Sequence, residues 1–217
     1  MERRQPFIIG LSGGSGSGKT TLADILKEAL PWKVSVVALD RFYKNLDTMP
    51  LAERKLTNFD HPDSLDLEQF TNVIKELSEG RATSVPIYDF AECNPTRERE
   101  AVAPAEVILV EGMQILDHTP LLRYLDMRIF LNIDEQTRFQ RKVERDMRER
   151  GRTYADVLDM WHTRTKPMHG LYVQPGMMNA DLVFTQSFGP QVLEVVTKEI
   201  HRRMNMWRGE HIDEWLK

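Results

Sequence analysis

The sequence predicts an α/β fold, a doubly wound parallel sheet with helices on both faces, from three observations. Short apolar runs alternate along the chain with amphipathic stretches. A glycine-rich loop joins the first apolar run to the first amphipathic stretch, and two later runs are each followed by an acidic residue. Because the connection between parallel strands is usually a helix that covers one face of the sheet, this alternation is typical of such an architecture.

Five apolar runs predict the strands of the sheet, and the amphipathic stretches between them predict helices. The strands are expected at residues 7–11, 34–39, 107–110, 127–133 and 180–184. The first helix is expected over residues 19–30, because Pro31 cannot continue a helix. Further helices are expected near residues 66–79, 135–149, 153–165 and 190–204.

The glycine-rich loop fits the pattern G-x-x-x-x-G-K-[ST] of loops that bind triphosphates. Its glycines let consecutive backbone N–H groups turn towards phosphate oxygens, where a Cβ atom would block the approach. Lys19 would reach the terminal phosphates, and the Thr20 hydroxyl would bind Mg²⁺. The alternative is a flexible Gly/Ser linker, but a linker is not bounded by a strand and a helix. The loop therefore predicts a P-loop NTPase-type sheet whose nucleotide-binding residues are Gly13, Gly14, Ser15, Gly16, Ser17, Gly18, Lys19, Thr20 and Thr21.

Composition and charge exclude several classes of protein. The 217 residues are 41% hydrophobic and 29% charged, which suits one globular domain over residues 1–217. The net charge of −4 gives no basic excess for a nucleic-acid partner. The one cysteine excludes an internal disulfide and a thiolate zinc site. With no apolar run long enough for a membrane span or a signal peptide, we expect no membrane partner and a cytoplasmic location.

Two acidic residues follow predicted strands at the point where each strand ends. In an open parallel sheet, ligands bind outside the carboxyl ends of the strands, so Asp40 and Glu111 are expected beside the phosphate loop. Phosphoryl transfer needs a carboxylate that accepts the proton of the acceptor hydroxyl, and we assign this role to Asp40. Glu111 would hold Mg²⁺ together with Thr20. Either acid alone could equally cap a helix or lie at the surface, but their joint position favours catalysis.

A stripe of basic residues predicts an arginine-rich lid over residues 142–165. These residues recur at helical spacing and continue past the expected helix end, so guanidinium groups could close on phosphate oxygens. The alternative is a solvated helix face that pairs with Glu135, Glu144, Asp146 and Glu149, and this alternative suits Arg138 and Arg148. The stripe consists of Arg138, Arg141, Lys142, Arg145, Arg148, Arg150 and Arg152.

Two segments depart from the alternation of strands and helices. Residues 41–66 contain several helix breakers and are expected above the sheet edge. Residues 81–103 predict a β-hairpin beside the nucleotide site. Residues two apart on a strand share a face, so Tyr88 and Phe90 would project together as a stacking platform for a base. Ordinary core packing is the alternative for this pair.

Several stretches of the chain resemble the uridine kinase (uridine–cytidine kinase) family, from about residue 7 to residue 185. The phosphate loop is shared with many unrelated enzymes, whereas the Asn-Phe-Asp-His-Pro-Asp stretch at 58–63 and the Pro-Ile-Tyr-Asp-Phe stretch at 86–90 are far more specific. The other similar stretches are residues 39–44, 110–112, 145–146, 149–152, 166–167 and 180–181.

The resemblance implies a pyrimidine-salvage kinase that transfers the γ-phosphate of ATP (or GTP) to the 5′-hydroxyl of a pyrimidine ribonucleoside. It implies catalytic roles for Asp40, Lys19, Arg145 and Arg150, and a Mg²⁺ site at Thr20, Asp40 and Glu111. Asp60 would bind the ribose hydroxyls, since a carboxylate accepts two hydrogen bonds from a cis-diol. The resemblance also suggests a homo-oligomer, a tetramer. The substrate-binding residues that it implies are Tyr43, Phe59, Asp60, His61, Tyr88, Phe90, Cys93, Lys142, Arg152 and Met160.

Three residues depart from the family's pattern. Cys93 stands where the family usually has a histidine, Met160 where it often has a glutamine, and Lys142 where it prefers arginine. A thiol is a weak donor, and lysine lacks the bidentate geometry of arginine. Because a site rejects a wrong base by leaving buried polar groups unpaired, loss of such groups predicts altered or relaxed base choice.

Two other functions remain open at this point. One is a P-loop kinase for another small hydroxyl substrate, such as a sugar phosphate or pantothenate. The other is a regulatory protein that binds nucleotide without turnover, although the complete set of Lys19, Asp40 and Glu111 argues against it. The tail over residues 205–217 carries two tryptophans and could dock on the body of the protein or on another subunit.

Overall fold

The computed structural model describes residues 6–186 and 189–208. Its main sheet has five parallel strands in the spatial order β2-β5-β1-β6-β7. β1 and β5 are buried along their whole length, as expected for inner strands of a sheet that is covered on both faces. The strands are β1 Phe7–Gly13, β2 Val34–Ala38, β5 Val107–Glu111, β6 Met127–Leu131 and β7 Leu182–Phe184.

The helices cover both faces of the sheet, which confirms the predicted fold class. Two separate hydrophobic cores form because neighbouring residues of β1, such as Ile8 and Ile9, point to opposite faces. One core includes the apolar face of α3, and the other includes apolar residues of α1 and α8. The helices are α1 Lys19–Ala29, α2 Leu51–Arg54, α3 Leu67–Ser78, α4 Thr119–Leu122, α5 Glu135–Glu149, α6 Tyr154–Met160, α7 Lys166–Tyr172 and α8 Pro190–Arg208.

Several predicted elements have bounds that differ from those of the structure. β2 ends at Ala38, and residues Leu39–Arg41 form a 3₁₀ turn, so Asp40 lies just beyond the strand. The last strand begins at Leu182 rather than at residue 180, because a 3₁₀ turn runs up to Asn179. The helix expected over 153–165 is α6, which continues through a π-helical segment, Trp161–Thr165, into α7.

The predicted hairpin is a separate two-stranded antiparallel sheet, β3 Thr83–Asp89 and β4 Asn94–Val102. Its turn contains Cys93, which has a left-handed φ of 50°. The preceding excursion contains α2 and rejoins the body through a bridge between Tyr43 and Leu65.

The predicted tail over residues 205–217 is only partly covered by the structure. Residues 205–208 are the end of α8, and the remainder lies outside the described residues. Among the helices of residues 6–186 and 189–208, none has the length and apolar character needed to cross a membrane.

Candidate active site

A cavity of about 660 Å³ lies at the carboxyl edge of the main sheet. It is bounded by the loop after β1, the ends of β2 and β5, the hairpin, and the region from α5 to the π-helical segment. The position follows from the topology, because the carboxyl ends of parallel strands meet at one edge of the sheet. The cavity therefore joins segments that are far apart in the sequence.

The loop between β1 and α1 has a backbone that only glycine adopts without strain. Gly16 has φ +78° and Gly18 has φ +95°, both in the left-handed region. A Cβ atom on Gly16 would also collide with the backbone oxygen of Arg138. The loop leads directly into the N-terminus of α1, where unpaired N–H groups and the helix dipole favour an anion. This segment is thus built to bind phosphate groups.

Lys19 is a buried cation at this loop. Its ammonium donates a hydrogen bond to the carbonyl of Gly14 at 3.1 Å. Burial lowers the pKa of Lys19, and nearby Glu111 opposes that shift. A cation that has lost its water gains most from a multiply charged anion, so a triphosphate would satisfy it.

Thr20, Glu111 and Asp40 bring oxygen atoms together on one side of the cavity. The Thr20 hydroxyl donates to the Glu111 carboxylate at 3.0 Å. Ala38 pairs with Glu111 in register, so Asp40 in the following turn borders the same space. Burial raises the pKa of Glu111, and the charge of Lys19 works against this shift.

These three side chains fit a Mg²⁺ ion. Hydroxyl and carboxylate oxygens are the ligands that Mg²⁺ prefers, and it takes the rest of its shell from phosphates and water. Within the described residues there is no cluster of three or more His, Cys, Asp or Glu that could hold a metal ion.

Asp146 is the centre of a buried ionic cluster on α5. Its side chain is 0% exposed and lies 3.0 Å from the ammonium of Lys142 and 2.8 Å from the guanidinium of Arg145. Arg152 lies 2.7 Å and Arg150 lies 3.7 Å from the same carboxylate. The alternative of a solvated helix face is therefore wrong for Asp146. Helical spacing gives the flank of α5 on which Asp146 lies, but not the elements that cover this flank.

Arg138 is also buried rather than solvated. Its guanidinium stacks 5.5 Å from the ring of Trp161 and donates to the carbonyl of Ile133 at 3.0 Å. It also packs against the phosphate loop, where a Cβ on Gly14 would meet it. Arg148, by contrast, has a side chain that is 75% exposed, as expected for a residue on a solvated helix face.

A chain of aromatic rings lines the other end of the cavity. The ring centroids of Tyr43 and Phe59 are 5.0 Å apart, and those of Tyr43 and Tyr88 are 5.1 Å apart. Tyr88 and Phe90 are also 5.1 Å apart, so the predicted pair does project together. The guanidinium of Arg150 lies over Phe90 at 5.1 Å and connects this wall to the basic cluster around Asp146.

Asp60 borders the cavity and is fixed by two residues that the sequence analysis missed. Its carboxylate accepts a hydrogen bond from the Thr165 hydroxyl at 2.7 Å, and its carbonyl accepts one from the Gln114 amide at 2.6 Å. These partners lie 105 and 54 residues away along the chain, so no local pattern could have indicated them.

Cys93 and Met160 also line the cavity, and Cys93 lies next to Phe90. Burial raises the pKa of the Cys93 thiol, so the group is neutral, and its sulfur lies 3.7 Å from the carbonyl of Phe90. Arg164, one helical turn after Met160, also borders the cavity and donates to the carbonyl of Thr57 at 3.3 Å. The sequence analysis missed Arg164.

The remaining predicted site residues divide into two groups. Ser15, Gly16, Gly18, Thr21, Lys142 and Arg152 border the cavity. Among the described residues that line it, Gly13, Gly14, Ser17 and His61 are absent. The first three belong to the loop itself. His61 instead packs on Tyr172, with its Nε2 atom 3.1 Å from the phenol oxygen. It therefore does not border the cavity in which it was predicted to contact the substrate.

Comparison with known proteins identifies a family and several relatives. The model of the "Phosphoribulokinase / Uridine kinase family" matches residues 8–192. A uridine kinase of Leuconostoc citreum is 39% identical over 182 residues, which cover 82% of this chain and 87% of that protein. A uridine kinase of Lactobacillus johnsonii is 34% identical over 185 residues, which cover 84% of this chain and 88% of that protein. The resemblance that the sequence motifs indicated is confirmed.

A solved structure supports the fold independently. The phosphoribulokinase from Rhodobacter spheroides superposes with a TM-score of 0.65 at 18% sequence identity, and the match covers 84% of this chain and 71% of that chain. At this level of identity the similarity concerns the fold alone.

Proposed function

Because the chain belongs to the phosphoribulokinase/uridine kinase family, we propose that it is a nucleoside kinase that phosphorylates the 5′-hydroxyl of a pyrimidine ribonucleoside, uridine or cytidine, in pyrimidine salvage. One observation carries the proposal: a single cavity joins the phosphate loop and Asp40 to an aromatic wall that contains Tyr88 and Phe90. The triphosphate would bind at the first end and the nucleoside at the second. Their reacting groups would then meet beside Asp40.

In this proposal Asp40 is the general base. Its carboxylate would accept the proton of the 5′-hydroxyl as the oxygen attacks the γ-phosphoryl group of ATP or GTP. Lys19, Arg145 and Arg150 would stabilise the negative charge that spreads over the phosphoryl oxygens in the transition state. Mg²⁺, held by Thr20, Asp40 and Glu111, would neutralise phosphate charge when bound.

The acceptor would be held by groups at the opposite end. The Asp60 carboxylate, oriented by Thr165, would accept hydrogen bonds from the two ribose hydroxyls. The rings of Tyr43, Tyr88 and Phe90 would enclose the base, and base–aromatic stacking contributes about 1–3 kcal/mol per base.

Base choice is proposed to be altered or relaxed. Neither the neutral thiol of Cys93 nor the thioether of Met160 forms the strong hydrogen bonds by which a site distinguishes an amino group from a carbonyl group. Strong donors among the residues that line the cavity include guanidinium groups such as Arg164, which can contact a carbonyl oxygen that both pyrimidines carry.

The proposal is tested by coupled detection of ADP over a panel of acceptors. We expect uridine and cytidine each to stimulate ADP release, with 5′-monophosphates as products by ³¹P NMR. Stimulation only by a sugar phosphate or pantothenate would replace the nucleoside with another acceptor. A flat response to every acceptor, despite ATP binding, would favour a regulatory protein. Adenosine serves as the ribosylated non-pyrimidine control, and a strong preference for uridine over cytidine would defeat relaxed base choice.

We further propose a cytoplasmic homo-oligomer, a tetramer by resemblance to the family. Light scattering coupled to size-exclusion chromatography measures the number of chains in the particle. A mass of one 25.3 kDa chain at micromolar concentration would contradict it.

A further inference from the structure

Asp146 contacts four basic residues of the predicted lid, namely Lys142, Arg145, Arg150 and Arg152. Its Oδ1 atom accepts two bonds from Arg145, from Nε at 3.0 Å and from Nη2 at 2.8 Å. Its Oδ2 atom accepts from Lys142 at 3.0 Å and from Arg152 at 2.7 Å. The main-chain carbonyl of Asp146 also accepts the N–H groups of Arg150 and Arg152, both at 3.2 Å. One residue therefore fixes both the side chains and the turn that follows α5.

The four basic residues face the cavity, whereas Asp146 does not. Lys142, Arg145, Arg150 and Arg152 all border the cavity, and Asp146 is not among the described residues that line it. Arg145 also reaches the phosphate loop, with its Nη2 atom 3.5 Å from the Ser15 hydroxyl. Asp146 is thus placed to orient these cations without contacting a ligand.

The ion pairs of Asp146 do not balance by themselves, because one carboxylate contacts four cations. Asp60 near Lys142 and Glu149 near Arg145 and Arg150 add negative charge at the same cavity, so four cations face three acids. Burial by itself would raise the pKa of Asp146, but the charges of Lys142, Arg145 and Arg150 outweigh it and hold the pKa far below its usual range. Asp146 is therefore ionised at any physiological pH. Positive charge therefore remains on the cavity side, and a triphosphate would supply an anion to match it.

We propose that Asp146 is a positioning residue that holds Lys142, Arg145, Arg150 and Arg152 as a preformed array against the transferring phosphoryl group. Donors that are already in place stabilise transition-state charge without reorganisation at the moment of reaction. A buried ion pair is weak evidence for stability by itself, so orientation of the cations is the better account of this buried carboxylate. This inference rests on the proposed kinase function and assigns a role to a residue outside the catalytic set.

The central test is Asp146→Asn, which removes the charge and keeps the size of the side chain. We expect kcat to fall about 30–300-fold, because interactions made mainly in the transition state are lost, while the Kd for MgATP stays within about fivefold. The matched control is Glu144→Gln, which removes an exposed acid that lies on the same helix and is not among the described residues that line the cavity, and which should leave kcat within about twofold of wild type.

Asp146→Glu separates positioning from charge balance. It keeps the negative charge but moves the carboxylate by one methylene, so a positioning role predicts a fall in kcat of about tenfold or more. A role in charge balance alone predicts nearly unchanged kcat per folded molecule. Melting curves of all variants identify losses that are due to unfolding, and the glutamate variant gives the answer if the asparagine variant does not fold.

The outcome does not depend on the identity of the acceptor. The same ratios are measured with whichever acceptor stimulates the wild type, or from slow ATP hydrolysis without any acceptor. If the proposed function is wrong, the wild-type protein will be inactive with nucleosides. If Asp146 is not a positioning residue, a folded Asp146 variant will have a kcat within threefold of wild type.

Discussion

The two ends of the cavity are built in different ways. The phosphate end comes largely from one continuous segment, the loop between β1 and α1, and much of its binding capacity lies in the backbone. The acceptor end is assembled from side chains that are far apart in the sequence, including Tyr43, Asp60, Tyr88 and Met160. Under the proposed function, the phosphate end would define the reaction and the acceptor end would define the substrate. Changes at the first end should reduce turnover of every acceptor, and changes at the second should act differently on different acceptors.

The largest effect is expected at the junction of the two ends. Asp40→Asn removes the proposed base but keeps the size of the side chain, so kcat should fall about 10²–10⁴-fold for every acceptor. Steady-state kinetics with uridine and cytidine measure it. The control is Asp63→Asn, an acid whose side chain is 90% exposed and which should behave as wild type. A variant that keeps more than a tenth of the wild-type kcat would remove Asp40 from the proposed mechanism.

A second prediction tests the role of the backbone at the phosphate end. Gly16→Ala places a Cβ against the backbone of Arg138 at a left-handed φ of 78°, so the loop must distort. Strain of this kind costs about 1–3 kcal/mol, and we expect the Kd for MgATP to rise about 10–100-fold with no change in preference among acceptors.

The matched control for this prediction is Gly170→Ala. A Cβ at Gly170 meets nothing within 4 Å, and its φ lies outside the left-handed region. Isothermal titration with MgATP should give the wild-type Kd for this control. Equal affinities of the two alanine variants would mean that the loop geometry does not determine nucleotide binding.

A third prediction tests the acceptor end. Cys93→His combined with Met160→Gln introduces groups that form strong hydrogen bonds where the wild type has a thiol and a thioether. We expect the ratio of kcat/KM for uridine to that for cytidine to change by about tenfold or more, while the Kd for MgATP stays constant. Cys93→Ala with Met160→Leu is the control, since it changes both side chains without adding a hydrogen-bonding group. An unchanged ratio in the His/Gln variant would show that base choice is made elsewhere in the cavity.

The sequence predicted the phosphate end more completely than the acceptor end, for a physical reason. The loop motif specifies its own backbone, and parallel topology brings Asp40 and Glu111 to the same edge once their strands are recognised. The burial of Asp146 and Arg138 was not predictable, because it depends on packing by distant residues such as Trp161. The partners of Asp60 were missed for the same reason. Helical spacing describes one element, whereas the acceptor end is a product of tertiary packing.

The smallest expected effect concerns His169, which lies behind the phosphate loop beside Gly14. Its Nε2 atom is 3.0 Å from the Gln174 amide oxygen, and within the described residues its Nδ1 atom is buried without a hydrogen-bond partner. Burial, with the nearby charge of Arg138, lowers the pKa of His169 to about 4. Because an unfolded histidine has a pKa of about 6.5, the unfolded state binds the proton first as pH falls.

The contribution of His169 to stability is therefore complete above pH 6.5 and decreases as the pH falls to about 4. Allowing for screening at a partly exposed ring, we expect a loss of about 1–2 kcal/mol in the free energy of unfolding across this range. His169→Gln cannot take up this proton, so urea unfolding between pH 7 and pH 4 should give a flatter profile than wild type. His162→Gln, at an exposed position, controls for the loss of a histidine. Parallel profiles of the free energy of unfolding against pH for the two variants and the wild type would show that His169 is not the acid-sensitive group. The stability of the phosphate end would then be no more sensitive to pH than that of the acceptor end.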